Sequence, residues 1–169
     1  MKEIDIQEYS WRALENINGF ITHAETKATL ILGAYGVGLA LLIDNFSSIR
    51  LTIIHYSVIF ALFAICVLSS IISVFYAIKC IFPRLKSTNS GKSKLYFKCI
   101  ANNYEEEDFI KEYYECIEER EEAIKEIANQ IWNNAKIADD KFRDINNSVI
   151  SFGVSVFAGI ILAIIEVLV

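Results

Sequence analysis

The chain has 169 residues, of which 54% are hydrophobic and 22% charged, with 7 Gly, one Pro and a net charge of −5. That apolar content excludes a disordered protein, and the Gly and Pro counts exclude a collagen-like or Pro-rich one. Asp, Glu, Lys and Arg are absent from residues 28–43, 51–78 and 146–165, and three such runs in so short a chain exclude an ordinary soluble domain.

Residues 4–43 read as one long helix. Leu14, Ile17, Ile21, Ala24 and Ala28 recur in steps of three and four, which is an amphipathic stripe. It enters a first span at 28–43, where Glu25 and Lys27 sit at headgroup level and the lysine stem can snorkel. His23 and Lys27 share a helix face there, as interface anchors or as part of an anion site. Inside the span Gly36 and Ala40 form a small-xxx-small pair, a device for close helix approach in lipid.

Residues 44–50 form an external turn, and the second span runs over 51–78. Lys79 and the lone Pro83 end it, since proline cannot continue a helix without strain. A polar loop follows from Arg84 to Lys94, then the small apolar patch Leu95-Tyr96-Phe97. Asn103 and Glu106 have the spacing of a capping box, with Glu105, Glu107 and Asp108 beside them at the positive end of a helix dipole. A heptad-like seam begins at Ile110, Tyr113 and Ile117. It continues through Arg120, Ile124, Ile127, Ile131, Asn134, Ala138, Lys141 and Ile145. Its polar members can set register, and Lys141 can instead line a polar pocket. The seam runs without a break signal into the third span, 146–168, where Ser151, Ser155, Gly159 and Ala163 make a ridge of small residues. A single helix from Tyr104 to Leu168, about 98 Å long, is therefore expected.

The fold class is an all-α integral membrane protein: three transmembrane helices with a long cytoplasmic helical stalk. Residues 1–27 carry three Lys and Arg, the turn at 44–50 one, and the segment 79–145 twelve. The positive-inside rule then puts the amphipathic helix 1–27 and the sensor or stalk region 79–145 in the cytoplasm, with the C-terminus outside. The acidic balance argues against a nucleic-acid partner. Cys66, Cys80, Cys99 and Cys116 include no CxxC pair, so neither a disulfide framework nor a metal site is expected. Gly91-Lys92-Ser93 lacks the upstream glycine and strand of a phosphate-binding loop, and Asn45-Phe46-Ser47 is only a formal glycosylation sequon. No nucleophile, base or metal cluster marks an enzyme.

The order of several short motifs resembles the Pycsar-type transmembrane effector family of bacterial antiviral defence. They are Glu25-Thr26-Lys27-Ala28, Pro83-Arg84-Leu85, Tyr96-Phe97, Gln130-Ile131, Ala138 and Lys141-Phe142. Where the family's first motif has Asp, this chain has Glu25. The resemblance implies a multi-pass protein of the bacterial inner membrane. It would sense a cyclic pyrimidine mononucleotide, cyclic CMP or cyclic UMP, from a partner cyclase and impair the lipid bilayer, giving abortive infection. Joined to the charge placement, it singles out Arg84, Lys141 and Lys27 for the phosphate, Tyr96 or Phe97 for base stacking, and Gln130 or Asn134 for the base edge. A homo-oligomer is expected, and no cofactor. A membrane scaffold whose stalk binds a protein is the alternative.

Overall fold

The computed structural model describes residues 6–44, 57–84 and 93–168. Every described element is a helix: α1 (Ile6–Asp44), α2 (Ser57–Ile81), α3 (Phe97–Asn103), α4 (Glu106–Glu118) and α5 (Arg120–Leu168). Asp44, expected to open the external turn, is the last residue of α1; the rest of that turn and its sequon lie outside the described residues, as does most of the polar loop. Three helices, α1, α2 and α5, are long and apolar enough to cross a membrane. The protein is an all-α membrane protein. At 1.5 Å per residue the 49 residues of α5 extend about 73 Å, more than twice the roughly 30 Å of a bilayer's hydrocarbon core. The excess is a helical stalk.

The chain divides into two compact units. The membrane unit comprises His23–Phe82 and the chain from Asp140 onward; the stalk unit comprises the chain up to Thr22 together with Pro83–Asp139.

In the membrane unit, α1, α2 and α5 meet on small side chains. Ala24, Ala28 and Ile31 of α1 bury against Ala77 and Cys80 of α2 and Ile145 of α5, with Leu32, Tyr35 and Phe152 packed around them. Lipid offers no hydrophobic force between helices, so close van der Waals approach and interhelical hydrogen bonds hold the bundle. Tyr35 and Phe152 meet edge to face at 5.2 Å between centroids, and the Tyr35 hydroxyl lies 3.0 Å from Ser155 Oγ. Leu30, Phe60, Phe75 and Phe157 point outward, each more than half exposed, as a lipid-facing surface requires. The small-residue ridge is divided. Ser155 is buried, and Gly159 faces α2, where an added Cβ would meet Cys66 Sγ at 4.0 Å; Ser151 is half-buried and Ala163 exposed. Gly36 and Ala40 are exposed, and a Cβ at Gly36 would meet nothing within 4 Å.

In the stalk unit the α1 stripe turns inward as its spacing predicts: Leu14 is buried and Ile17 and Ile21 half-buried. On α5, Ile127 and Ala138 are buried.

Three expectations fail here. Asn103 does not cap α4; it is the last residue of α3. Tyr104 then runs extended, and the N-cap of α4 is Glu105, without a side-chain cap bond. The helix expected from Tyr104 to Leu168 is broken at Glu119, whose backbone is extended at φ −91°, ψ 90°. Glu115, Glu118, Glu119, Glu121 and Glu122 stand three and four apart there, a spacing at which like charges oppose a helix. Beyond the break α4 has its own helix phase. Its inner face is Phe109, Glu112 and Cys116, and the expected seam residues Ile110, Tyr113 and Ile117 are exposed.

Candidate functional site

Two polar constellations stand out, one in each unit. The first is in the membrane unit, at the ends of α2 and of the α1 and α5 spans. Lys141 on α5 has a side chain only 3% exposed, and its Nζ lies 2.9 Å from Glu25 Oε1 on α1. The same ammonium donates to the backbone carbonyl of Cys80 and, at 3.5 Å, to that of Phe82. These carbonyls close the C-terminal end of α2, where helical C=O groups lack partners and the dipole favours a cation. One turn further along α5, the nearly buried carboxylate of Asp144 accepts a hydrogen bond from Lys79 of α2 at 3.0 Å. Lys79 also lies 5.7 Å over the Tyr76 ring. Three helices are thus cross-linked by charge where Lys141 and Asp144 project from one face of α5.

The reason is local. A buried ammonium is retained only with partners on its donors. Glu25 supplies the counter-charge and the end of α2 supplies the carbonyls. Lys141 was expected on phosphate; its three donors are directed instead to protein oxygens. Lys27, like His23, is exposed on α1. The sequence put Glu25 at headgroup level and let Lys141 line a polar pocket, but nothing in the spacing paired the two. Asp144 gave no signal beyond its position one turn past Lys141.

The second constellation is in the stalk unit. Gln130 Nε2 donates to Asn134 Oδ1 at 3.1 Å, and Asn134 Nδ2 donates to Asn18 Oδ1 of α1 at 2.7 Å. This amide relay fixes the register of α1 on α5 and adds Asn18, which the heptad reading of α5 alone could not reveal. Gln130 and Asn134 are half-buried and Asn18 is exposed. The Phe97 ring is 65% exposed and packs at 5.3 Å against Tyr96. The Tyr96 hydroxyl, in contrast, is buried without a hydrogen-bond partner, and burial followed by the charge of Cys99 pushes its pKa up. Of the two rings, Phe97 is the one open to stacking. Arg84 belongs to this unit and is half-buried.

Nearby in sequence, Ser93 Oγ donates to Glu126 at 3.1 Å and Lys94 Nζ to Glu122 at 3.3 Å, tying the segment before α3 onto α5. Burial opposes the Lys94 charge, but the Glu122 bond and surrounding charges raise its pKa overall. The adjoining groove, about 440 Å³, is dominated by Asp108, Glu112, Glu115, Glu119 and Glu122, and its field repels an anionic ligand. Beside it, burial and then the Glu112 carboxylate push the Tyr104 phenol up to about 12.

The fold and its charged cross-links define a multi-pass membrane protein of three spans with a helical stalk. A family model for the Pycsar effector protein domain matches residues 9–168, nearly the whole chain. The chain therefore belongs to the Pycsar effector family, and it is an effector of bacterial antiviral defence. No curated protein and no solved structure matches it.

Proposed function

We propose that the protein senses a cyclic pyrimidine mononucleotide, cyclic CMP or cyclic UMP, made by a partner cyclase, and responds by impairing the bacterial inner membrane. Growth then stops before phage release. Membership of the Pycsar effector family across residues 9–168 carries this reading. The N-terminus and stalk lie in the cytoplasm, where the nucleotide is made, and the C-terminus outside. The protein works without catalysis.

The stalk unit supplies the ligand chemistry. A cyclic mononucleotide carries one negative charge and a flat base. Arg84 takes the phosphate, Phe97 stacks on the base with Tyr96 behind it, and the relay of Gln130 and Asn134, with Asn18, reads the base edge. Lys141 leaves this set because its donors are already engaged, and Lys27 acts at the membrane surface. Copies of the chain assemble through the exposed small residues Gly36 and Ala40, where a partner helix can approach closely.

The test is titration of purified protein with cyclic CMP and cyclic UMP, with cyclic AMP as control. Binding of neither pyrimidine nucleotide overturns the reading. Arg84→Ala should remove a charge-assisted contact worth about 1.5–3 kcal/mol, or roughly 10- to 150-fold in affinity.

The scaffold alternative has one observation in its favour. Ile110, Tyr113, Tyr114 and Ile117 make an exposed apolar stripe on α4. A scaffold would bind its partner there and be indifferent to cyclic nucleotides.

A further inference from the structure

The chain passes between its two units three times, after Thr22, after Phe82 and after Asp139. Each passage lies within three residues of one member of a single clasp. Glu25 follows the first, the Phe82 carbonyl precedes the second, and Lys141 follows the third. Lys141 touches the other members: the carboxylate on α1 and the last carbonyls of α2. Cys80, fully buried, closes the arrangement, since its Sγ donates to the Lys141 carbonyl at 3.6 Å.

We infer that this clasp is a latch: closed, it holds the three spans together in the sealed state, and opening it releases the membrane-impairing state. The inference rests on the effector reading and adds its point of control. All covalent routes by which a change in the stalk unit can reach the spans pass beside this cluster. Its members come from all three spans, so displacing any one helix breaks it. The arrangement is also all-or-none. A lysine side chain 3% exposed depends on its partners, because a buried ammonium left without them is costly. Once Glu25 or the α2 carbonyls move away, the ammonium has to reach water, and α5 has to move with it. Packed interfaces of this kind switch between discrete arrangements rather than deforming gradually. The Lys79–Asp144 pair joins α2 and α5 one turn further along and reinforces the latch.

Cys80 is a native reporter, because it is fully buried while the latch is closed. Cys66, Cys99 and Cys116 are replaced by Ala, and the full-length protein is expressed in cells without a cyclase. Two readings are taken: entry of a membrane-impermeant DNA dye, and labelling of Cys80 by a membrane-permeant maleimide. Lys141→Met keeps the apolar stem and removes the donors. It should make cells leaky without any nucleotide and speed Cys80 labelling by about tenfold or more, the size of a modest population shift. Lys141→Arg retains charge and donors and should stay silent. Should Lys141→Met fail to insert, Glu25→Gln decides, since Glu25 is at the outer edge of the pair with its side chain 40% exposed. Sealed cells with protected Cys80 in an inserted Lys141→Met or, failing that, Glu25→Gln variant overturn the latch. Leakage with Cys80 still protected overturns it too, because the leak then arises elsewhere. A purely structural ion pair predicts reduced insertion and no leak. The two proposals fail separately. If wild-type protein binds cyclic CMP or cyclic UMP while Cys80 stays protected, the latch falls and the sensing reading stands. If neither nucleotide binds but the variants leak with labelled Cys80, the reverse holds.

Discussion

Ser73 on α2 and Ser148 on α5 each donate a side-chain hydroxyl to the other's backbone carbonyl, at 2.9 and 2.8 Å, with both side chains fully buried. The two bonds form one reciprocal unit, because the distance that satisfies one hydroxyl satisfies the other. In lipid a hydroxyl with no water nearby needs such a partner. Ser73→Ala and Ser148→Ala should each cost about 0.6 kcal/mol, up to about 1.7. The double variant should cost less than the sum, since either change breaks the shared geometry. Thermal loss of helical circular dichroism in detergent measures this; strict additivity would show two independent bonds.

Gly159→Leu tests the helix contact beside this pair. The glycine faces Cys66 Sγ at the 4.0 Å limit of an added Cβ, so a leucine has to displace α2 or reach into the neighbouring apolar cavity of about 540 Å³. Overpacking of this kind typically costs about 1–3 kcal/mol. We expect normal insertion with a lowered unfolding temperature and a lost membrane phenotype. An unchanged protein would show that the cavity absorbs the side chain.

The orientation is tested with introduced cysteines rather than native ones. Cys99 and Cys116 are buried, so their protection from an impermeant thiol reagent would say nothing about sidedness. In a cysteine-free background, Lys98→Cys or Glu118→Cys, both at exposed positions, should be unreactive in intact cells and reactive after lysis. Ser47→Cys, between the first two spans, should react in intact cells. Labelling of position 98 in sealed cells would invert the topology.

Tyr96→Phe separates a structural ring from a ligand contact. Its hydroxyl is buried without a partner, a condition costing about 1–3 kcal/mol. Removing the oxygen should leave the thermal midpoint unchanged or higher. Nucleotide affinity should fall only if the bound ligand satisfies that oxygen, which isothermal titration of the variant would read.

The pH dependence of the stalk unit follows from Tyr104. Its phenol is held near 12 against an ordinary value near 10, because burial and the Glu112 carboxylate disfavour the phenolate. The folded form therefore binds this proton more tightly than the unfolded chain. The stabilisation is complete below about pH 10 and is lost as pH rises toward 12. Tyrosinate absorbance near 295 nm should show a late-titrating component that Tyr104→Phe removes.

Period and charge along the chain encoded the spans and the helix faces. Charge-free runs defined three spans, and the Leu14-to-Ala28 stripe defined the inner face of α1, because a bilayer and a helix each impose a repeat readable one residue at a time. Motif order pointed to the family that residues 9–168 match. Partnership was decided only by tertiary structure. Asn134 was legible as a polar seam position, but its partner Asn18 lies 116 residues away, and no local pattern selects one asparagine at that distance. Lys141 was legible as a cation near a membrane surface. That it points inward, onto Glu25 and the end of α2, depends on how three helices are rotated about their axes. The break at Glu119 had the same origin. The seam continued on paper through Ile117, but repulsion among neighbouring glutamates and burial of Cys116 turned α4 away from it, since helix phase follows packing energy once the hydrogen-bond ladder is broken.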